Sequence, residues 1–164
     1  AISFSISGSE IGITSAGVLT FTSAPDYETK SSYTATVTAT DGANIATQNI
    51  TVNVNNINDN SPVITSSATF SADENQTSIG TVTATDAEGD TITFSISGSE
   101  INVDSSTGVL TFVSAPDYET KSSYTATVTA SDGANSTSQE ITVSINDIDE
   151  NISAPSLTSS STFS

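Results

Sequence analysis

The longest regular pattern in the chain is a strict alternation. In Ser123-Tyr124-Thr125-Ala126-Thr127-Val128-Thr129-Ala130, Tyr124, Ala126, Val128 and Ala130 fall on one side and the threonines on the other. A period of two belongs to a strand with one buried and one solvated face. Equivalent alternation occurs at 81–85, 91–97, 109–113 and 140–145, with an opening strand expected near 63–70 and a brief one at 101–103. Turn signals separate these runs at Ser61-Pro62, Gly89, Ser97-Gly98, Thr107-Gly108, Ala115-Pro116 and Asp132-Gly133. No stretch has helical periodicity, so nothing is available for crossovers in a parallel sheet. Seven short alternating strands predict an all-β fold, a Greek-key sandwich of the immunoglobulin type. The threonine faces read as favourable strand propensity on a solvated surface, with a flat ligand-binding face as the alternative. Phe4, Phe21, Tyr33 and their copies Phe94, Phe112 and Tyr124 read as core rather than as platforms for stacking sugars.

The pattern occurs twice. Residues 17–60 laid over 108–151 give 33 identities in 44 positions, and ISFSISGSE at 2–10 returns as ITFSISGSE at 92–100. TFS at 69–71 returns at 162–164, which sets a repeat of about 93 residues. In that register residues 1–60 match the last two thirds of a repeat, 61–151 a complete one, and 152–164 the opening strand of another. A repeat without its opening strands exposes half of its core, so the expectation is an excerpt from a longer array or a unit completed by neighbouring polypeptide.

Composition narrows the chemistry. The chain has 164 residues, 19 carboxylates, only Lys30 and Lys121 as basic residues, a formal charge of −17, and no Cys, His, Trp or Met. Without His or Cys there is no Ser-His or Cys-His nucleophile pair, no thiolate zinc site and no imidazole ligand. Nucleic acid and anionic membranes are repelled, because binding phosphates needs clustered Lys or Arg. No apolar run reaches the ~20 residues of a membrane helix, so no membrane insertion is expected.

The acids gather at strand ends and in the connector between repeats: Asp26-Tyr27-Glu28 and Asp117-Tyr118-Glu119, Asp41-Gly42 and Asp132-Gly133, Asp73-Glu74-Asn75, Asp86-Ala87-Glu88, Asn56-Ile57-Asn58-Asp59-Asn60-Ser61-Pro62, and Asp147-Ile148-Asp149-Glu150-Asn151. An antiparallel sandwich brings alternate loops to one pole, where bare carboxylates repel one another. Two lysines cannot neutralise them. A hard cation with a tolerant shell of oxygens can, and calcium suits flexible Asp, Glu and Asn oxygens better than magnesium with its strict octahedron. A solvated acidic loop that binds nothing is the competing reading. Asp26 and Glu28 as a glycosidase-like pair would need no residue that calcium ligation does not already use, and the chain is expected not to be an enzyme.

The order Glu-Asn, Asp-x-Glu, Asp-Tyr-Glu, Asp-Gly, Asn-Asp-Asn-x-Pro resembles the cadherin repeat, and Ile57-Asn58-Asp59-Asn60-Ser61-Pro62 resembles its linker. The resemblance implies calcium at the joint between repeats. Asp26 and Glu28 of the first repeat would be ligands, with Asn56, the Ile57 carbonyl, Asn58, Asp59 and Asn60 of the linker and Asp86, Glu88 and Asp132 of the second repeat. Glu74, Asp117, Glu119, Asp147, Asp149, Glu150 and Asn151 would serve the next joint, and Asp41 the one before. Glu88 in place of the family's second Asp, and Asn56 in place of Asp, leave the ion number open.

These readings lead to an extracellular, calcium-rigidified adhesion or structural module of a large surface protein. A bacterial source is expected from the absence of disulfides and the near-identity of the copies. Its partners would be neighbouring repeats of the same polypeptide, with homophilic, cell-surface or glycan partners as further candidates. A passive spacer or appendage component is the alternative, and a carbohydrate-binding module a third. Sequons at Asn49, Asn75, Asn135 and Asn151 are expected by chance in a chain this rich in Ser and Thr.

Overall fold

Alternation becomes strand throughout the computed structural model, which describes residues 1–150 and has no helix among them. The chain divides into two units, residues 1–61 with 86–90, and residues 62–85 with 91 onward. The opening strand of a further repeat, expected at 152–164, lies outside the described residues.

The first unit holds β1 (Ser3–Ile6), β2 (Ile11–Ile13), β3 (Leu19–Phe21), β4 (Ser32–Thr40) and β5 (Ile45–Asn53). Its main sheet has the order β1-β4-β5, and β2 pairs with β3. The second unit holds β6 (Val63–Ile64), β7 (Thr69–Asp73), β8 (Ser78–Thr81), β9 (Ala84–Thr85), β10 (Thr93–Ile96), β11 (Ile101–Val103), β12 (Val109–Phe112), β13 (Ser123–Ser131) and β14 (Ser136–Asn146). One layer has the order β10-β13-β14-β7, the other β11-β12-β8, with β6 and β9 paired separately.

The opening strand is not continuous. It pairs antiparallel with β9 at Val63 and Ile64, then resumes as β7 parallel to β14, with Phe70 opposite Val143. The strand expected at 81–85 begins earlier, at Ser78, and is broken at Val82 and Thr83 into β8 and β9. Each half serves a different sheet, which one uninterrupted strand cannot do.

The core of the second unit lies between these layers. Leu110, Val128, Ile141 and Val143 are fully buried, with Ala72, Val82, Ile101, Phe112 and Ile145 beside them. Val128 and Ala130 face inward from β13 as the alternation requires, while Tyr124 packs against Phe112 with ring centroids 4.9 Å apart. The first unit repeats β10 to β14 as β1 to β5 and has less cover. Leu19 is 40% exposed where its counterpart Leu110 is 0% exposed, and Val37, Ile50 and Val52 are half-buried where Val128, Ile141 and Val143 are sealed. The difference is the segment that carries β7 and β8, which supplies Phe70, Ala72, Ile79 and Val82 to the second unit. Among the described residues β5 ends its sheet with no strand on its outer side.

Candidate metal centre

Each unit carries an acidic loop between its third-from-last and second-from-last strands, Pro25 to Lys30 before β4 and Pro116 to Lys121 before β13. The first aspartate shapes the loop. Asp26 Oδ1 accepts the amides of Glu28 at 3.0 Å and Thr29 at 3.4 Å, and Oδ2 accepts the Thr29 hydroxyl at 2.8 Å. Asp117 does the same with Thr120, at 3.2 Å from the amide and 2.8 Å from the hydroxyl. The Thr29 and Thr120 bonds hold both carboxyls below their usual range. The Lys30 and Lys121 amides close the turns onto Asp26 O and Asp117 O, each at 2.9 Å.

With the aspartates so used, the glutamates point to where charge collects. In the first unit, oxygens of Glu28, Asp59 and Glu88 lie within 4.8 Å of one another. Partial desolvation, with the charges of Glu88 and Asp26, pushes the Glu28 carboxyl above its usual range. The linker amides turn toward Glu88: Asn56 Nδ2 donates to its carbonyl at 3.4 Å and Asn60 Nδ2 to its Oε1, while Asn60 Nδ2 also lies 3.1 Å from Asp59 Oδ1. Asp86 Oδ1 accepts the Asp90 amide at 3.0 Å. Asp86 Oδ2 and Glu88 Oε2 are buried and have no hydrogen-bond partner among the described residues. Ile57 is exposed, and Asn58 lies in the same linker.

The second unit has a parallel cluster of Glu74, Glu119 and Asp147, again with oxygens within 4.8 Å of one another. Glu74 is 2% exposed and fixed from both sides, Oε2 accepting the Tyr118 amide at 2.9 Å and Oε1 the Ile148 amide at 2.8 Å. Asn75, in the left-handed region at φ 63°, donates its amide to Pro116 O at 2.9 Å and its side chain to Glu150. For Glu119 a bond from its own amide favours the charged form, but desolvation and the charges of Glu74, Asp147 and Asp117 together push its carboxyl up. Asp117, Glu119, Asp147, Ile148, Asp149 and Glu150 line a concavity of about 540 Å³. Asn151 lies outside the described residues.

Asp41 and Asp132 sit in hairpin turns, Asp41 between β4 and β5 and Asp132 between β13 and β14. Each caps a turn: Asp41 Oδ1 accepts the Ala43 and Asn44 amides at 2.9 and 2.7 Å, and Asp132 Oδ1 those of Ala134 and Asn135 at 2.7 and 2.6 Å. The Asn44 and Ala43 amides pull Asp41 down to about 2.

The donor sets fit calcium. They consist of oxygens, they bring like charges together, and buried oxygens of Asp86 and Glu88 meet no donor among the described residues. A hard divalent ion with a flexible shell of ~6 to 8 oxygens satisfies all three conditions. Alternation and loop chemistry had pointed to these acids; they could not point to Glu10 and Glu100, which hold the two lysines and whose one sequence signal is recurrence in both copies.

The family model of the cadherin domain matches residues 66–146. That stretch is a cadherin domain. Protocadherin Fat 4 from Homo sapiens is 40% identical over 147 residues, covering 79% of this chain and 3% of that protein. Cadherin EGF LAG seven-pass G-type receptor 1 from Mus musculus is 33% identical over 153 residues, covering 85% and 5%. The solved protocadherin gammaB7 EC3-6 cis-dimer superposes with a TM-score of 0.78 at 29% identity, over 89% of this chain and 41% of that one. The fold is also that of mouse Cadherin-23 EC22-24, at a TM-score of 0.75 and 23% identity over 91% and 55%. The chain therefore spans only 3–5% of the length of these curated relatives. The relatives named are animal proteins, and they give no support to a bacterial source. The cadherin comparison and the two-layer β fold agree with the sandwich class expected from alternation.

Proposed function

We propose that this chain is a calcium-binding adhesion or structural module of a larger extracellular protein, in which calcium stiffens the connection between consecutive cadherin repeats. The observation that carries this reading is the convergence of Glu28, Asp59 and Glu88 beside buried, unpartnered oxygens of Asp86 and Glu88. Glu28, Asp59, Glu88 and Asp86 are the proposed core of the first site, with Asp26, Asn56, Asn58, Asn60 and the Ile57 carbonyl around it, and Asp132 is proposed as a further calcium ligand. Glu74, Glu119 and Asp147 are the proposed core of the second, with Asp117, Asp149, Glu150 and Asn151. Asp41 is assigned to an equivalent site shared with a preceding repeat.

Calcium would act mechanically. Neutralising carboxylates from several loops removes freedom from an acidic connector, and extracellular modules of this kind work with dissociation constants of about 10⁻⁴ to 10⁻³ M. The role is non-enzymatic, with neighbouring repeats of the same polypeptide as the first partners and homophilic or cell-surface contact as the adhesive step. Bead aggregation tests that step: beads coated with the chain should cluster in about 1 mM calcium, the upper end of that range, and disperse in chelator. Calcium binding without clustering would leave a stiff spacer.

A further inference from the structure

Both of the chain's lysines meet the same fate. Lys30 Nζ lies 2.7 and 2.6 Å from the two oxygens of Glu10 and 4.5 Å from the centre of the Tyr33 ring. Lys121 Nζ lies 2.6 and 2.7 Å from the two oxygens of Glu100 and 4.3 Å from the centre of the Tyr124 ring. Among the described residues these are the ion pairs that lysine makes. In each unit the lysine follows the loop glutamate, Glu28 or Glu119, by two residues, and its own amide is tied to the loop aspartate's carbonyl.

That position creates a problem for cation binding. An ammonium on a flexible four-carbon stem, rooted in a loop of carboxylates, is an internal competitor for the charge that calcium must find. The glutamate 20 or 21 residues earlier takes the amine on both oxygens, and the ring face of the following tyrosine covers it. Stability alone does not account for the arrangement: the side chains are 42–54% exposed, and exposed ion pairs contribute little.

We propose that Glu10 and Glu100 are positioning residues that park the amines of Lys30 and Lys121 away from the calcium loops, leaving Glu28 and Glu119 available to the ion. This rests on the calcium reading above. Freed from its glutamate, each lysine turns to the loop carboxylates beside it, and calcium then has to displace it. Removing the lysine as well removes the competitor, so the second change reverses the first.

Calorimetric titration of the full chain with calcium tests this, using Glu10→Gln/Glu100→Gln and the same pair combined with Lys30→Met/Lys121→Met, with melting in chelator to follow the fold. The glutamine pair should weaken calcium about fivefold. Adding the methionines should restore affinity to within about twofold of the unmodified chain, a sign reversal that loss of packing would not produce. Unchanged affinity in the glutamine pair, or equal weakness after the methionines are added, would overturn the proposal. No calcium heat from the unmodified chain would remove the calcium reading itself, and this proposal with it.

Discussion

Glu74 is a buried carboxylate whose two oxygens accept the amides of Tyr118 and Ile148, so one side chain fixes the acidic loop and the segment that follows β14. Glu74→Ala leaves both amides without an acceptor, and should cost the second unit about 1–3 kcal/mol for each group left buried and unsatisfied, read as a lowered denaturant midpoint. Asp104 does similar work at a turn. Its Oδ1 accepts the Thr107 hydroxyl and amide at 2.8 Å each, and the Ser106 hydroxyl and amide at 3.0 and 3.1 Å. Thr107, then Ser106, draws the carboxyl down to about 2 from 3.8. A carboxyl whose folded value is depressed stabilises above its unfolded value and loses that contribution as pH falls through the folded one. Asp104→Asn should therefore lower the melting temperature at neutral pH, and the gap from the unmodified chain should shrink between about pH 4 and pH 2. Little of this residue-scale detail was legible beforehand. The acids of the loops could be read as a cation site from their clustering, but that Asp26 and Asp117 spend their oxygens on Thr29 and Thr120 depends on side-chain geometry that spacing alone does not reveal.

The two copies form a natural experiment on what a strand is worth. Leu110 and Leu19 occupy the same place in the repeat, yet Leu110 is sealed beneath the segment bearing β7 and β8 while Leu19 is 40% exposed. Leu110→Ala should cost about 2–5 kcal/mol, and Leu19→Ala under about 1 kcal/mol, because only the first leaves a cavity. The glycines after the short turn make the same contrast. At Gly108, with φ +71°, an added Cβ would meet Val82 O at 2.1 Å; at Gly17, with φ +84°, the nearest atom is a Phe4 ring carbon at 3.4 Å. Both substitutions force a left-handed backbone on alanine, but only Gly108→Ala must also move the Val82 backbone between β8 and β9, so its melting temperature should fall further. Alternation placed β13 and its inward face correctly, since Val128 and Ala130 are buried as their period requires. It could not show the opening strand dividing between β9 and β14, because both halves alternate alike and the partner is chosen by packing far along the chain.

At the scale of the whole molecule, repetition was the most informative signal, and it reaches further than the 81 residues of the cadherin match: β1 to β5 of the first unit repeat β10 to β14 of the second. What repetition cannot carry is the chemistry of a connection, which depends on carboxylates meeting in space. Among the described residues those carboxylates meet in two clusters, which calcium, rather than solvent, is proposed to complete. The most direct measurement is a calcium titration of the chain that follows melting temperature and radius of gyration together, with magnesium and Asp59→Ala as controls. Calcium at about 10⁻⁴ to 10⁻³ M should give a higher melt and a more extended, less variable particle, with little response to magnesium and a weakened response in Asp59→Ala. No change in either quantity up to about 10 mM calcium would contradict it, and would leave an acidic spacer whose clustered carboxylates are met by water alone.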